Sequence, residues 1–281
     1  MVIIENGIIR VEIIEKGAEI RRVTVDGEER FWNGDPKFWD GVAPVLFPNC
    51  GGMRDDKYTV GGKEYNIPKH GFAKNMDFKV ESVCSNSATF LLTDTEDTFK
   101  CYPWHFELRI KYTLVAASIR VEYDIKNNSE SPMYFALGSH EAYLCPEGVE
   151  DYDVIFERKE TLKTCLVEDG ILSRKTETVL FESDTLPLYN KYFEIDALVL
   201  TDLKSRFLTL RNRKNGKSVS VSFPDCDYLL IWTKPGAPYV CLEPWTAPPS
   251  YLGEGYEIEK KEGMKVLEPH TYYKNSHIIY F

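Results

Sequence analysis

The stretch FELRIKYTLVAASIRVEYDI, residues 106–125, alternates apolar and polar side chains in two runs. In the first run every second residue is apolar: Phe106, Leu108, Ile110, Tyr112 and Leu114. In the second run the apolar residues are Ile119, Val121, Tyr123 and Ile125. A repeat of two is typical of a strand with one buried and one wet face. With the small residues of positions 116–118 between them, the two runs predict an antiparallel hairpin.

Similar patterns recur along the chain and predict further strands. They lie near residues 8–14, 20–25, 79–83, 89–92, 134–137, 197–200, 218–223, 229–232 and 239–242. Turn-forming pairs such as Asp26-Gly27 and Asn215-Gly216 separate them. One helical turn is possible over residues 35–41, and residues 157–187 are the most polar and loop-like segment. We therefore expect an all-β fold, a large antiparallel β-sandwich, with a single domain over residues 1–281.

Composition narrows the classes of function. The chain has 281 residues, of which 43% are hydrophobic, and its formal net charge is −10. That charge opposes binding to nucleic acid and to anionic membranes, so we expect neither partner. No stretch of about 18 apolar residues is present to span a membrane. A small neutral molecule is compatible with these properties, and no oligomeric state is predicted.

The seven cysteines are odd in number and form no CxxC pair. This pattern favours free thiols in a reducing compartment, and we expect a cytoplasmic protein without a zinc site. The N-terminal segment MVIIENGIIRVEI lacks the basic region and long apolar run of a signal peptide.

Three short motifs place proton-transfer groups beside apolar residues: PKHGFAK around His70, LGSHEAY around His140 and VCLEPWTAPP around Glu243. Two imidazoles and a carboxylate suffice for a reaction that only moves protons. Each also has a structural interpretation. His70 could be an exposed loop residue, His140 a hydrogen-bonded core residue, and Glu243 half of a buried salt bridge. We predict that the three converge.

Three other residues are candidates for ligand binding. Arg54 follows the adjacent glycines of the NCGGMRDD stretch, where the alternative is a tight turn with a solvated arginine. Asp196 precedes an apolar run, where the alternative is a cap at the start of a strand. Trp232 could offer an aromatic face to a sugar, or fill the core.

Six segments, taken in order, resemble the aldose 1-epimerase (galactose mutarotase-like) family, and most closely its LacX-like branch. They are GAEIRRVTVDGEERFW, PVLFPNCGGMRDDKYTVGGKEYNIPKHGFAK, YPWHFELRIKYTL, FALGSHEAYLCP, IDALVL and IWTKPGAPYVCLEPWTAPP. They run from about residue 17 to residue 249. The resemblance implies the family's large antiparallel sandwich and the interconversion of α and β anomers of an aldose.

The resemblance also implies residue roles. Glu243 looks like the family's general base, His140 like its general acid and His70 like the second histidine near the ring oxygen. Asp196 looks like the acidic residue that holds sugar hydroxyls, and Arg54 like the substrate arginine. The sequence departs from relatives at Gly51-Gly52, where they often have Gly-Arg, and at Glu141, where they often have Pro. An acid role requires His140 to be charged near neutral pH, which a nearby carboxylate would favour.

The reaction so implied needs no cofactor and no metal. We expect a neutral hexose rather than its 6-phosphate, because the average field of the chain opposes a dianion. Three alternatives remain open: a non-catalytic sugar sensor, a hexose-6-phosphate mutarotase, and a glycoside hydrolase that uses Glu243 with Asp196.

Overall fold

A computed structural model of the chain describes residues 1–168 and 170–281. The described residues are nearly all β. The strands are β1 (Val2–Glu5), β2 (Ile9–Ile13), β3 (Ile20–Val25), β4 (Glu28–Glu29), β5 (Lys57–Val60), β6 (Lys63–Asn66), β7 (Lys79–Cys84), β8 (Ser87–Thr93), β9 (Phe106–Val115), β10 (Ser118–Asn127), β11 (Met133–Phe135), β12 (Glu141–Leu144), β13 (Tyr152–Glu168), β14 (Ile171–Pro187), β15 (Leu198–Leu200), β16 (Phe207–Asn212), β17 (Ser218–Ser222), β18 (Tyr228–Trp232), β19 (Tyr239–Trp245), β20 (Lys265–Leu267) and β21 (Tyr272–Tyr280).

Helical structure is short. The one α-helix of the described residues, α1, is Glu96–Cys101, and 3₁₀ turns occur at Arg54–Asp56, Ala73–Asn75, Val149–Asp151, Asn190–Phe193 and Ile258–Lys260. None of these helices has the length and apolar character that crossing a membrane requires.

The hairpin predicted from residues 106–125 is confirmed. Strands β9 and β10 pair antiparallel from Phe106 opposite Asn127 to Val115 opposite Ser118. The five apolar residues of the first run are each at most 2% exposed. Their polar neighbours lie on the other face, as a period of two requires.

The hairpin belongs to a sheet of 13 strands, in which β14 pairs with β13 and the remaining strands follow the order β12-β19-β18-β15-β13-β16-β17-β21-β10-β9-β8-β7. A second sheet has the order β1-β2-β3-β4. Hydrogen bonds fasten it to the large sheet: the Tyr112 hydroxyl donates to the Ala18 carbonyl at 2.8 Å, and the Glu5 amide donates to the Ser85 carbonyl at 2.7 Å. The expected all-β, antiparallel sandwich is confirmed.

Most predicted strands are present with small shifts at their ends, but one interpretation is wrong. Residues 157–187, expected to be loop-like, lie largely in β13 and β14, two strands of 17 residues each that form a long hairpin. Among the described strands, β14 pairs with β13, and it keeps many polar side chains in solvent. A strand at a wet edge does not need the apolar alternation that marks a half-buried one.

The helical turn expected over residues 35–41 is a single hydrogen-bonded turn, in which the Trp39 amide donates to the Asp35 carbonyl at 3.0 Å. Helix α1 has no counterpart in the sequence prediction. Its six residues begin after the N-cap Thr95, whose side chain accepts from the Thr98 amide. A helix this short shows too little of a 3.6-residue period to be recognised.

Candidate active site

Five of the six side chains selected from the sequence line one cavity of about 720 Å³: His70, His140, Asp196, Trp232 and Glu243. The cavity lies where strands β18 and β19 meet the segment before β12 and the loops around residues 39–51 and 68–75. His70, His140 and Glu243, which were predicted to converge, therefore lie around the same cavity. Arg54 does not line this cavity.

Glu243 lies in the middle of β19, opposite Leu230 of β18, and is 1% exposed. Burial raises the pKa of its carboxyl well above the usual 4.5, and the negative charges of Asp196 and Glu141 add to that effect. The positive charge of Lys69 works in the opposite direction. A carboxyl with a raised pKa can hold a proton near neutral pH and release it to a suitable acceptor.

His140 lies directly beside Glu243. Its Nε2 is 3.4 Å from Oε2 of Glu243, the residue is 9% exposed, and its Nδ1 is buried without a hydrogen-bond partner among the described residues. Burial lowers the pKa of His140 to about 3. The neighbouring carboxylate expected from the sequence is present. The lowered pKa runs against the expectation that this carboxylate keeps His140 charged: burial favours the neutral imidazole, and the positive charges of Lys74 and Lys69 act in the same direction.

His70 is held by its loop. Its backbone has φ of 67°, and its Nδ1 accepts a hydrogen bond from the Gly51 amide at 3.2 Å. The next residue, Gly71, also has positive φ, and a β-carbon there would collide with the Phe47 carbonyl. Because Nδ1 is an acceptor, the neutral ring carries its proton on Nε2. Burial lowers the pKa of His70 well below 6.5, with His140 the next cause, so the ring stays neutral.

Aromatic rings enclose His140 on several sides. The centroid of the Trp39 ring lies 4.9 Å from that of His140 with the planes 32° apart, and Trp232 and His70 each lie at 5.7 Å in edge-on geometry. Trp232 is half-buried and lines the cavity, so part of its ring is available to a ligand. These rings exclude water from the imidazole on those sides.

Asp196 lies at the cavity wall just before β15. One oxygen, Oδ1, accepts a hydrogen bond from the Ala197 amide at 2.8 Å, which matches the strand-cap interpretation. The residue is half-exposed and also lines the cavity. A carboxylate has more acceptor sites than this one bond uses, so both interpretations of Asp196 are compatible with the structure.

Arg54 is engaged elsewhere. Its Nη1 donates to the Glu254 carbonyl at 2.7 Å, and its guanidinium lies 4.7 Å from the centre of the Tyr256 ring. A further contact joins its Nε to Asp55 Oδ2 at 3.6 Å. These contacts fit a role in fixing the 54–56 turn against the segment around residue 255.

Sequence reasoning missed Trp39 as a site residue. It lies in a loop, where no periodicity indicates which way a side chain points. The available signal was Gly41 two positions later, where a β-carbon would collide with the Trp39 ring. The small residue therefore allows the indole to fold over the cavity.

The comparisons with known proteins agree with the geometry. The family model described as aldose 1-epimerase matches residues 1–276. The chain belongs to the aldose 1-epimerase family. The chain is 34% identical over 291 aligned positions to the plasmid-encoded protein LacX of Lactococcus lactis subsp. lactis. The alignment covers 98% of this chain and 97% of LacX. The LacX-like resemblance is thereby confirmed.

Solved structures of other family members are also similar. A galactose mutarotase related enzyme from Lactobacillus acidophilus is 33% identical, with a TM-score of 0.94 and coverage of 99% of this chain and 96% of that chain. A galactose mutarotase-like protein from Lactobacillus casei is 28% identical, with a TM-score of 0.94 and coverage of 100% and 99%. A galactose 1-epimerase from Lactobacillus acidophilus is 16% identical with a TM-score of 0.72 over 99% and 92%, which is a likeness of fold alone.

Proposed function

We propose that the protein is an aldose 1-epimerase that interconverts the α and β anomers of a free aldose. The observation that supports this most is the 3.4 Å contact between the buried His140 imidazole and the buried Glu243 carboxyl, inside a cavity of about 720 Å³. Such a pair is suited to taking one proton and giving another on the same small molecule. The family assignment favours the same chemistry.

The reaction follows from the pair. Glu243, as carboxylate, takes the proton of the anomeric hydroxyl while His140, as imidazolium, protonates the ring oxygen. The bond between C1 and the ring oxygen breaks and an aldehyde forms. Rotation about the C1–C2 bond exposes the other face of the aldehyde. As the ring closes, His140 takes its proton back from the attacking hydroxyl and Glu243 gives its proton to the carbonyl oxygen.

The pair carries one proton in total, and its position depends on hydration. Burial raises the pKa of Glu243 and lowers that of His140, which favours the proton on Glu243 and the neutral form of both groups. A bound hydroxyl and ring oxygen supply polar partners that favour the charged form with the proton on His140. The two groups therefore titrate as one coupled unit.

Three neighbours support this assignment as positioning groups. His70 offers Nε2–H as a hydrogen-bond donor beside the pair, since Nδ1 is occupied by the Gly51 amide. Asp196 has acceptor capacity for sugar hydroxyls, and Trp232 has an aromatic face for sugar C–H groups. Arg54 has no part in this proposal, because its guanidinium is held against Tyr256.

Polarimetry tests the proposal. Freshly dissolved α-galactose and α-glucose relax spontaneously, and the protein should accelerate the change of optical rotation in proportion to its concentration. Glu243→Gln is the matched control, because it keeps the side-chain shape and removes the base. Sugar binding without acceleration would support the sensor alternative, and release of new reducing ends from a glycoside would support the hydrolase.

A second candidate substrate is a hexose phosphate, and three lysines of the cavity lining favour it, although the lining also holds the carboxylates of Glu19, Asp40, Asp196 and Glu243. Lys16, Lys69 and Lys74 line the cavity, and no described carboxylate lies within 4.0 Å of their ammonium groups. Lys74 is half-buried, and burial, followed by the charge of Lys69, lowers its pKa. An unpaired, half-buried cation is suited to an anion, although the chain as a whole carries −10.

Competition calorimetry with glucose, galactose and glucose 6-phosphate separates the two substrates. Tenfold tighter binding of the phosphate, about 1.4 kcal/mol, would replace the free aldose in our proposal. Lys74→Met should then remove the preference, while Lys100→Met, a change at the exposed end of α1, should not.

A further inference from the structure

Cys241 lies beneath the proton-transfer pair. Cys241 and Glu243 are two positions apart in β19 and therefore project from the same face of the strand. One ligand-type atom from each of His140, Cys241 and Glu243 lies within 4.8 Å of the other two, and all three residues are buried. Cys241 itself is 0% exposed.

These three groups form a set suited to a thiophilic cation. Imidazole, thiolate and carboxylate are the protein ligands of Zn²⁺, and three of them leave one coordination position open. Ligand atoms around a tetrahedral zinc lie roughly 3.5 Å apart, so the three atoms need to approach one another by at most about 1.3 Å. The buried Nδ1 of His140 has no hydrogen-bond partner among the described residues, so no bond at that nitrogen restrains the ring from reorienting.

This arrangement cannot be recognised from the spacing of the residues. The chain has no CxxC pair, and positions 140 and 241 lie about a hundred residues apart. Pairing of β12 with β19, with Glu141 opposite Leu242, brings the two segments together. Residues that come together from two adjacent strands can be separated by any number of positions in the sequence, so no spacing motif identifies them.

We propose that His140, Cys241 and Glu243 form an inhibitory site for a thiophilic divalent cation such as Zn²⁺ or Cd²⁺. Coordination displaces the thiol proton of Cys241 and the proton shared by His140 and Glu243, and both protons go to solvent. The bound cation occupies both proton carriers, so it competes with the sugar. The site depends on the geometry of three side chains and not on the proposed reaction.

Spectroscopy with Co²⁺ tests the site without measuring turnover. A thiolate ligand gives a sulfur-to-cobalt charge-transfer band in the near ultraviolet, and calorimetry gives the affinity and stoichiometry for Zn²⁺. All proteins carry Cys84→Ser, because Cys84 is the exposed cysteine. Cys145→Ser is the matched control, since Cys145 is equally buried at 0% exposure and lies outside the cluster.

We expect one equivalent of Co²⁺ with the thiolate band in the parent protein and in Cys145→Ser. Cys241→Ser should lose the band and at least tenfold in Zn²⁺ affinity. Absence of the band in the parent, or its persistence in Cys241→Ser, would overturn the proposal. If the band behaves as expected but no mutarotation is found, the cation site stands and the proposed function fails.

Discussion

The Trp39 indole covers the His140 imidazole, with ring centroids 4.9 Å apart and planes 32° apart. This contact helps to keep water from the ring, and burial is the main reason that the pKa of His140 is lowered to about 3. The indole therefore influences where the proton of the proposed His140–Glu243 pair resides.

Replacing Trp39 by Ala should raise the pKa of His140, because the imidazolium regains hydration. Trp39→Phe keeps an aromatic face and should change the pKa less. NMR titration of the imidazole in both variants measures the shift directly. An equal pKa of His140 in the wild type and in Trp39→Ala would mean that other neighbours provide the desolvation.

Glu243→Gln should lower kcat by about 10²–10⁴-fold, the usual contribution of a positioned acid or base. Sugar binding should persist, because the amide keeps the shape of the side chain. Stopped-flow polarimetry and calorimetry measure the two quantities. A variant that retains more than about a tenth of kcat would exclude Glu243 as the base.

His140→Asn should reduce kcat more than His70→Asn does. The first change removes a proton carrier. The second removes only the Nε2–H donor of a ring whose Nδ1 accepts a hydrogen bond from the Gly51 amide. Steady-state kinetics on both variants provide the comparison. The opposite order would mean that the roles of the two histidines are exchanged.

Stability should depend on pH through Glu243. The pKa of this carboxyl is raised in the folded protein, so its contribution to stability is present below about 4.5 and is lost as the pH rises through the folded value. Relative to Glu243→Gln, wild type should lose about 1.4 kcal/mol per pH unit over that interval. Urea unfolding of both proteins across the pH range tests the slope. A difference independent of pH would show that the folded protein does not shift this carboxyl.

Arg54→Met should leave the KM for sugar within about twofold and lower stability by about 1 kcal/mol, because it loses the bond to Glu254 and the contact with Tyr256. Asp196→Asn should raise KM by about tenfold through lost hydroxyl contacts. Kinetics and thermal unfolding on both variants distinguish the two residues. A large KM effect in Arg54→Met would restore the arginine to the site.

The sequence predicted the fold well wherever strands have one buried face. The hairpin at residues 106–125 could be recognised because burial and the strand period impose strict alternation. Strand β14 could not be recognised in this way. It is held by hydrogen bonds to β13 and its polar side chains face solvent, so its sequence does not need to alternate. Whether a segment pairs with another strand depends on the rest of the fold, so the pattern of its own residues does not reveal it.

The site was predicted in part. Apolar residues around His140 and Glu243 indicated buried ionisable groups, and these two side chains are in contact. The position of Arg54 depends on which way a glycine-rich turn faces, and that of Trp39 on how a loop folds over a cavity. Neither direction follows from residue type or spacing, so only the assembled structure determines them.

The long hairpin of β13 and β14 reaches the cavity with one of its ends. Val167 and Gly170 near its end line the cavity, and the Leu172 amide donates to the Ser250 carbonyl at 2.8 Å. The groups proposed to move protons lie on other elements, β19 and the segments around residues 70 and 140. Substitutions, insertions or deletions near the hairpin end can therefore reshape one wall of the cavity while leaving in place the side chains proposed to move protons.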